Sequence, residues 1–221
     1  MSNTTNNIAC IFDLDGVLVD TAVYHYQAWK QLANSMGFDF THEQNEQLKG
    51  VSRVRSLEKI LAWGGVEKTE EERAELAALK NSWYVEMIGK MTKDELLPGT
   101  LKLLQDLKAA GIKMALGSAS KNSALILTRT GLANFFDAIV DGNAVTASKP
   151  DPEVFVKAAE LLGAAAQDCI VFEDARAGVE AGNAAGMLVV GIGSAENLPG
   201  SKIVIKDLSE ITIADLMALK N

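Results

Sequence analysis

Two carboxylates, Asp13 and Asp15, follow directly after the apolar residues 8–12. An apolar run of this length before Gly16 predicts a buried parallel strand, and open α/β sheets hold ligands at the carboxyl ends of their strands. In an extended chain the two side chains would point to the same side, about 6 to 7 Å apart. Because like charges repel, the pair predicts a cation between them, and we expect Mg2+. The ordinary alternative is an acidic turn that caps a strand.

Three further polar motifs also follow predicted strands. Ser118 precedes a predicted helix, whose first amides are unpaired and can bind a phosphate oxygen. Lys149 lies between restricted residues in Ser-Lys-Pro-Asp-Pro, where its ammonium can offset the charge of a phosphate. Asp174, in the pair Glu173-Asp174, would complete an oxygen-rich Mg2+ site with Asp13 and a main-chain carbonyl.

Each motif alone has an ordinary explanation. Ser118 is a residue type that caps helices, an isolated Lys149 is more often solvated in a loop, and Asp174 could be an acidic helix cap. In a doubly wound sheet, however, all of these motifs gather at one edge. Together they predict phosphoryl transfer, in which Asp13 attacks phosphorus and Asp15 moves the proton of the sugar oxygen. Mg2+, Lys149 and Ser118 would stabilise the phosphate oxygens.

The remaining pattern predicts the elements that position these motifs. Residues 24–88 show helical spacing without a convincing strand, with helices near 24–36, 43–48, 56–63 and 70–88, so this block is an insert. After residue 99 strands and helices alternate, which predicts a parallel sheet with helices on both faces. The predicted later strands are 113–116, 138–140, 169–172, 188–190 and 203–205, with a terminal helix near 213–219.

The charge balance argues against some partners. The 221 residues carry a formal net charge of -8, and 48% are hydrophobic. We expect neither nucleic acid nor an anionic membrane as a partner, because both repel an acidic protein. Cys10 and Cys169 lie in apolar runs, which predicts buried free thiols in a reducing compartment. Residues 1–7 lack a signal-peptide pattern and no apolar stretch reaches a membrane span, so we expect a cytoplasmic protein, with a monomer as default.

The four motifs together resemble those of the haloacid dehalogenase superfamily. They are Asp13-Leu14-Asp15-Gly16-Val17, Ser118, Lys149 in its proline-rich loop, and Glu173-Asp174 followed by Gly178. The resemblance implies an α/β fold with a Rossmann-like doubly wound parallel sheet core and an inserted helical cap domain. The core would comprise residues 1–20 and 92–221, and the cap residues 21–91.

Three narrower stretches resemble the sugar phosphomutases of that superfamily: residues 20–29, residues 47–57 and residues 118–122. This resemblance implies an isomerase that acts on small sugar phosphates. It would interconvert β-D-glucose 1-phosphate and glucose 6-phosphate through an aspartyl-phosphate enzyme and a glucose 1,6-bisphosphate intermediate. A Mg2+-dependent sugar-phosphate phosphatase of the same superfamily is the alternative. A noncatalytic binding domain is a distant third hypothesis, since such a domain would be expected to lack Asp13 or Asp174.

The resemblance implies a role for each core residue. Asp13 would be the phosphorylated nucleophile and Asp15 the general acid and base. The Mg2+ ligands would be Asp13, the main-chain oxygen of Asp15, Asp174 and, directly or through water, Glu173. The residues that hold the transferring phosphate would be Ser118, Ala119 and Lys149. Ala175 departs from the family pattern, which often has Ser there, so the usual helix cap is in doubt.

The phosphomutase-like stretches imply the remaining contacts. The second phosphate would be held by Arg53, Ser120 and Asn122, with Lys121 adding to the local positive field. The cap side of the site would be lined by Lys49, Gly50, Val51, Ser52 and Lys80. The hinge residues would be Thr21 and His25. For Lys80 the ordinary alternative is a solvated position on a long helix, and for His25 it is a packed or exposed helix position.

Overall fold

Six parallel strands build the sheet in the part of the chain that the structure, a computed structural model, describes, residues 8–220. The expectation for residues 1–7 lies outside the described residues. The strands are β1 (Ala9–Phe12), β2 (Lys113–Gly117), β3 (Ala138–Val140), β4 (Cys169–Glu173), β5 (Leu188–Ile192) and β6 (Ile203–Ile205). Their order across the sheet is β3-β2-β1-β4-β5-β6.

Strand β1 lies at the centre of the sheet, with Phe12 in register with Leu116 of β2 and Phe172 of β4. The strand order is that of a doubly wound Rossmann-like sheet, which confirms the predicted fold class. Because all three strands are parallel, their carboxyl ends lie side by side. Residues that follow them can therefore share one site.

Helices pack on both faces of the sheet and also build the segment between β1 and β2. They are α1 (Ala22–Ser35), α2 (His42–Glu46), α3 (Arg53–Gly64), α4 (Glu70–Ile88), α5 (Thr100–Ala109), α6 (Ser123–Thr130), α7 (Glu153–Leu162), α8 (Arg176–Ala184) and α9 (Ile213–Lys220). Alternation along β1 directs Cys10 and Phe12 to a core formed with α5, α6 and α9. It directs Ala9 and Ile11 to a second core formed with α7 and α8. A sheet buried on both faces explains the continuous apolar strands.

Helices α1 to α4 form an insert between β1 and β2 that has an apolar cluster of its own. Trp29 and Leu32 of α1 are buried in this cluster with Phe40 and with Ile60 and Leu61 of α3. This organisation confirms the predicted helical insert. The prediction placed α3 near 56–63, but the helix already begins at Arg53 because Ser52 takes the extended conformation of an N-cap, with φ -62° and ψ 152°.

The chain leaves the core and returns to it through one short antiparallel pairing. The Asp20 amide donates to the Glu95 carbonyl at 2.9 Å, and the Leu97 amide donates to the Leu18 carbonyl at 3.0 Å. This crossing lies close to the limits expected for the insert, and the boundaries at 20 and 92 stay a prediction. Ile88, near the end of α4, packs into the same core as Phe12, so the insert is anchored on the sheet.

The segment after β1 carries Asp15. The strand ends at Phe12, and Asp15 forms an isolated parallel bridge with Val19 directly before the turn at residues 16–18. Gly16 adopts a φ of +83°, a region that favours glycine, and its amide donates to the Val19 carbonyl at 2.9 Å. The bridge to Val19 and the turn between these two residues therefore help to position Asp15 beyond the end of β1. Within residues 8–220 no helix combines the length and the apolar character needed to cross a bilayer.

Candidate active site

The centre of the candidate site is an ion pair between Asp13 and Lys149. Nζ of Lys149 lies 2.6 Å from Oδ1 of Asp13 and also donates to Glu173. The Asp13 amide donates to the Phe172 carbonyl at 3.0 Å, which holds Asp13 at the end of β1. Two separate strands and the loop before α7 therefore bring these three side chains together.

Lys149 is buried, with only 4% of its surface exposed, so the alternative of a solvated loop residue is wrong. Burial by itself would lower the pKa of this ammonium. The Asp13 and Glu173 carboxylates outweigh burial and hold the pKa of Lys149 above its usual value. Lys149 is therefore a fixed positive charge at the carboxyl edge of the sheet.

Three carboxylates meet beside Lys149. Asp13, Glu173 and Asp174 each offer an oxygen, and these oxygens all lie within 4.8 Å of one another. Burial, followed by the charges of its carboxylate neighbours, raises the pKa of Asp174. A Cβ at Gly178 would overlap the Glu173 carboxyl group, so glycine is required for this close approach. An all-oxygen cluster with surplus negative charge fits a hard divalent cation.

Asp15 lies next to this cluster and has an environment suited to proton transfer. The Thr21 hydroxyl donates a hydrogen bond to Oδ1 of Asp15. Burial and the Asp13 charge raise the pKa of Asp15 to about 6, against the opposing effects of Thr21, Lys149 and Lys80. A carboxyl group with this pKa can both give and take a proton near neutral pH.

The loop after β2 is held by its own hydroxyl groups. Oγ of Ser118 accepts from the Ser120 amide at 3.1 Å, and Oγ of Ser120 accepts from the Asn122 amide at 3.2 Å. The Ser118 amide donates to the Val140 carbonyl at 3.0 Å. Helix α6 begins at Ser123, so Ser118 is not its cap. The alternative reading of Ser118 as an ordinary helix cap is therefore wrong.

Lys80 and His25 form a buried pair on the insert. Nζ of Lys80 lies 3.0 Å from Nδ1 of His25, and it lies 4.5 Å from the ring centres of both Trp29 and Tyr84. Lys80 is 1% exposed, which rules out the solvated alternative. Burial and the Arg53 charge lower the pKa of Lys80 to about 7, with Asp15 acting in the opposite direction. Burial, Lys80 and Arg53 lower the pKa of His25.

Arg53 is the first residue of α3 and is half-buried in the wall of the cavity. Burial lowers the pKa of its guanidinium, and the Tyr84 hydroxyl opposes this effect. Within residues 8–220, neither Arg53 nor Lys80 forms an ion pair with a carboxylate oxygen at 4.0 Å or less. Arg53 and Lys80 are therefore basic groups of the insert without a directly paired carboxylate, and the more distant Asp15 charge acts on Lys80.

A cavity of about 1540 Å³ between the insert and the sheet joins these groups. Glu173 lies behind its wall, completely buried, and contacts the cavity through Lys149. The other predicted site residues all line it: Asp13, Asp15, Thr21, His25, Lys49, Gly50, Val51, Ser52, Arg53, Lys80, Ser118, Ala119, Ser120, Lys121, Asn122, Lys149 and Asp174. The structure brings them together, while their individual roles stay predictions.

The insert touches the acidic cluster directly. Nζ of Lys49 lies 2.9 Å from Glu46 and 3.8 Å from Oδ2 of Asp174. A Cβ at Gly50 would approach the Cβ of Ala175 to 3.0 Å, and Gly50 has a φ of +70°. The segment around Gly50 is therefore packed closely against the core, as expected for a closed cavity.

The departure at Ala175 has a local explanation. Ala175 is the N-cap of α8 and provides no side-chain hydrogen bond, as its sequence predicts. Its amide instead donates to Oε2 of Glu173 at 3.0 Å. Glu173 therefore orders the start of α8 and binds Lys149 at the same time.

Sequence reasoning missed three residues that contact the predicted ones. Trp29 and Tyr84 enclose the Lys80 ammonium, and Asn81 receives a hydrogen bond from Asn122 at 3.0 Å. The i, i+4 spacing of Lys80 and Tyr84 is a signal that could have found the aromatic contact. No local signal links Asn81 to Asn122, which is 41 positions away.

Comparisons with known proteins agree with this geometry. The model of the haloacid dehalogenase-like hydrolase family matches residues 9–186. A β-phosphoglucomutase of Bacillus subtilis is 44% identical over 93% of this chain and 92% of its own. A phosphorylated carbohydrates phosphatase of Thermotoga maritima is 32% identical over 81% of this chain and 82% of its own.

A solved structure is similar over nearly the whole fold. The crystal structure of a β-phosphoglucomutase from Clostridium difficile superposes with a TM-score of 0.92 at 42% identity, and the match covers 96% of each chain. The family model matches most of the sequence and includes all four motifs, and residues 187–221 lie outside the match. The chain therefore belongs to the haloacid dehalogenase-like hydrolase family, and within it is similar to the β-phosphoglucomutases.

Proposed function

We propose that this protein is an isomerase, a phosphomutase that interconverts β-D-glucose 1-phosphate and glucose 6-phosphate. The similarity to two β-phosphoglucomutases at more than 40% identity supports this activity. One structural observation carries the proposal. A single cavity joins the nucleophile candidate Asp13 to two basic residues of the insert, Arg53 and Lys80, and neither forms an ion pair with a carboxylate within residues 8–220.

Asp13 is proposed to carry the phosphoryl group between sugar molecules. Its carboxylate attacks the phosphorus of glucose 1,6-bisphosphate, which forms an aspartyl phosphate and releases a sugar monophosphate. β-Glucose 1-phosphate then binds and takes the phosphoryl group from Asp13 on its 6-hydroxyl, which regenerates glucose 1,6-bisphosphate and the free Asp13 carboxylate. Lys149, Ser118 and the Ala119 amide hold the oxygens of the transferring group, and the charge of Lys149 offsets theirs.

Asp15 is proposed as the general acid and base. With a pKa of about 6, it can donate a proton to the departing sugar oxygen and accept one from the attacking hydroxyl. The Thr21 hydrogen bond fixes the orientation of the Asp15 carboxyl group. Lys80 of the insert lies close enough to influence the charge of Asp15, and His25 contacts Lys80. This arrangement would link the Asp15 proton to closure of the insert.

We propose Mg2+ as the cation that the acidic cluster binds. Asp13, Asp174 and the main-chain oxygen of Asp15 would hold it, with Glu173 binding directly or through water. When bound, the ion lowers the repulsion between the phosphate and the attacking carboxylate. Three carboxylates meet here beside two ammonium groups, those of Lys149 and Lys49, which supports this assignment.

The second phosphate of the bisphosphate needs an anchor away from Asp13. Arg53 is proposed to bind it, because a guanidinium group offers two parallel donors to a phosphate. The loop residues Ser120, Lys121 and Asn122 would complete this anchor. The segment Lys49, Gly50, Val51 and Ser52 would close the cavity and exclude water from the aspartyl phosphate. We propose that residues 21–91 act as this cap.

A sugar-phosphate phosphatase is the second candidate function. The Thermotoga maritima relative, a phosphorylated carbohydrates phosphatase, supports it at 32% identity. The catalytic core residues do not distinguish transfer to a sugar from transfer to water. Both Asp13 and Asp174 are present in the site, which argues against a noncatalytic binding domain.

One assay separates the two activities. The protein is incubated with Mg2+ and β-glucose 1-phosphate, primed with glucose 1,6-bisphosphate, and glucose 6-phosphate and inorganic phosphate are measured together. We expect glucose 6-phosphate to form with little free phosphate. Release of phosphate without isomerisation would select the phosphatase.

Two proposals concern the protein as a whole: that it is a monomer and that it works in the reducing cytoplasm. Cys10 and Cys169 are buried and free, as predicted from the apolar runs around them. They belong to the cores on opposite faces of the sheet. Burial raises the pKa of both thiols, so they remain protonated and unreactive.

A further inference from the structure

One amide pair connects the insert to the loop after β2. Nδ2 of Asn122 donates to Oδ1 of Asn81 at 3.0 Å. Asn81 belongs to α4 of the insert and directly follows Lys80, whereas Asn122 belongs to the core. Both residues line the cavity. The bond therefore spans the boundary at which the insert closes over the site.

Asn122 makes this bond in place of the one expected at its position. It is the N-cap residue of α6, and Asn is among the residue types that stabilise this position through their side chains. The Asn122 side chain nevertheless forms no cap hydrogen bond. Its amide group forms a hydrogen bond with Asn81 of α4 instead. The local cap contact is therefore replaced by a contact with a distant helix.

Asn122 is also linked to the phosphate-binding candidates of the loop. Its main-chain amide donates to Oγ of Ser120, and the Ser120 amide donates to Oγ of Ser118. The loop from Ser118 to Asn122 is therefore held by its own hydrogen bonds, and the Asn122 side chain is the part that forms a hydrogen bond with α4. The Asn81–Asn122 hydrogen bond therefore couples the position of α4 to the side chain at the end of this loop.

We propose that Asn81 is a positioning residue for the sugar phosphate. Its Oδ1 fixes the Asn122 amide group, so that the second N–H of Asn122 is free to donate to the phosphate oxygen. The loop reaches this geometry only when α4 lies against the core. This inference rests on the proposed function, in which Asn122 binds the phosphate remote from Asp13, and it adds the residue that orients that donor.

A double-mutant cycle tests the coupling. We expect Asn81→Ala and Asn122→Ala each to raise KM for β-glucose 1-phosphate by about tenfold, which corresponds to the loss of one hydrogen bond. Because Asn81 acts through Asn122, the KM of the double variant should not exceed the higher of the two KM values of the single variants. Phosphorylation by acetyl phosphate, which has no sugar end, should change by less than about twofold in all three variants.

A matched control lies next to Asn81 on the same helix. Ser82 is exposed and its hydroxyl donates to the Leu79 carbonyl within α4, so Ser82→Ala should keep the wild-type KM. Alanine is a better helix former than asparagine, and Asn81→Ala should therefore preserve α4. Thermal unfolding of each variant checks this expectation.

Three results would overturn the inference. One is an unchanged KM in Asn81→Ala. The second is independent effects that multiply in the double variant, and the third is an equal loss with acetyl phosphate. Failure of the proposed function looks different, because the wild-type protein itself would then release phosphate without isomerisation. In that case the same cycle, measured on hydrolysis of the sugar phosphate, still tests whether Asn81 acts through Asn122.

Discussion

Nζ of Lys80 lies 3.0 Å from Nδ1 of His25, and both groups belong to helices of the insert. The Tyr84 ring stacks on the imidazole with 4.2 Å between ring centres. The Arg53 charge adds to burial in lowering the pKa of Lys80 and of His25. The insert therefore holds a buried amine, and protonation of this amine destabilises the folded protein until an anion enters the cavity.

The stability of the protein should depend on the charge of Lys80. Its pKa is about 7 in the fold, compared with 10.5 for an unperturbed lysine. Above the higher value neither folded nor unfolded protein holds this proton. As the pH falls from there to about 7, only the unfolded chain gains the proton, so the folded state loses stability; below about 7 the loss is constant.

Lys80→Met removes this titration while keeping a similar side-chain volume. We expect the variant to exceed the wild type in free energy of unfolding by about 2 to 4 kcal/mol at about pH 7, and by much less at about pH 10. The lost contact with the Trp29 and Tyr84 rings offsets part of this gain. Urea unfolding at both pH values measures the difference in free energy of unfolding between the variant and the wild type. An equal difference at both pH values would contradict the lowered pKa of Lys80.

Asp13→Asn should abolish turnover and leave the fold intact. The amide keeps the size of the carboxyl group but cannot attack phosphorus, so we expect a loss of at least about a thousandfold in kcat. Helix content and cooperative unfolding should persist, since Asp13 belongs to a charged cluster rather than to the apolar core. Isomerisation assays together with circular dichroism check both parts. Substantial residual activity would remove Asp13 from the nucleophile role.

Arg53→Ala should affect sugar phosphates selectively. We expect kcat/KM for β-glucose 1-phosphate to fall by about ten- to a hundredfold, because a charge-assisted phosphate contact is lost. Phosphorylation by acetyl phosphate should change little, since this small donor does not reach the second phosphate site. Arg73→Ala is the control, as Arg73 is exposed on the same insert and does not line the cavity. An equal loss with both donors would rule out a remote anchor.

Mg2+ should stabilise the wild-type protein against unfolding. At a concentration about a hundredfold above Kd, binding to the folded state alone adds about 2.7 kcal/mol. In Asp174→Asn most of this increment should disappear, because the cluster loses a carboxylate. Asp106→Asn, a change on the surface helix α5, should keep it. The proposal is contradicted if thermal unfolding shows the same Mg2+ increment in the Asp174 variant.

The sequence by itself determined the order of elements and the edge at which the motifs meet. Apolar runs ending at Phe12 and Phe172, followed by Asp13 and Glu173, indicate parallel strands with acids at their carboxyl ends. The spacing of apolar residues along a strand or helix follows the repeat of its backbone, so the sequence shows this pattern directly. The fold class followed from them, and the comparisons agree with it.

Only the tertiary structure decided which charged and polar side chains are buried. Lys80 lies on a helix rich in charged residues, and its burial depends on Trp29 and His25 of a different helix. Lys149 is buried because Asp13 and Glu173 of two strands meet it. A charge leaves water only where partners from elsewhere in the chain replace that water, and the local sequence does not encode those partners.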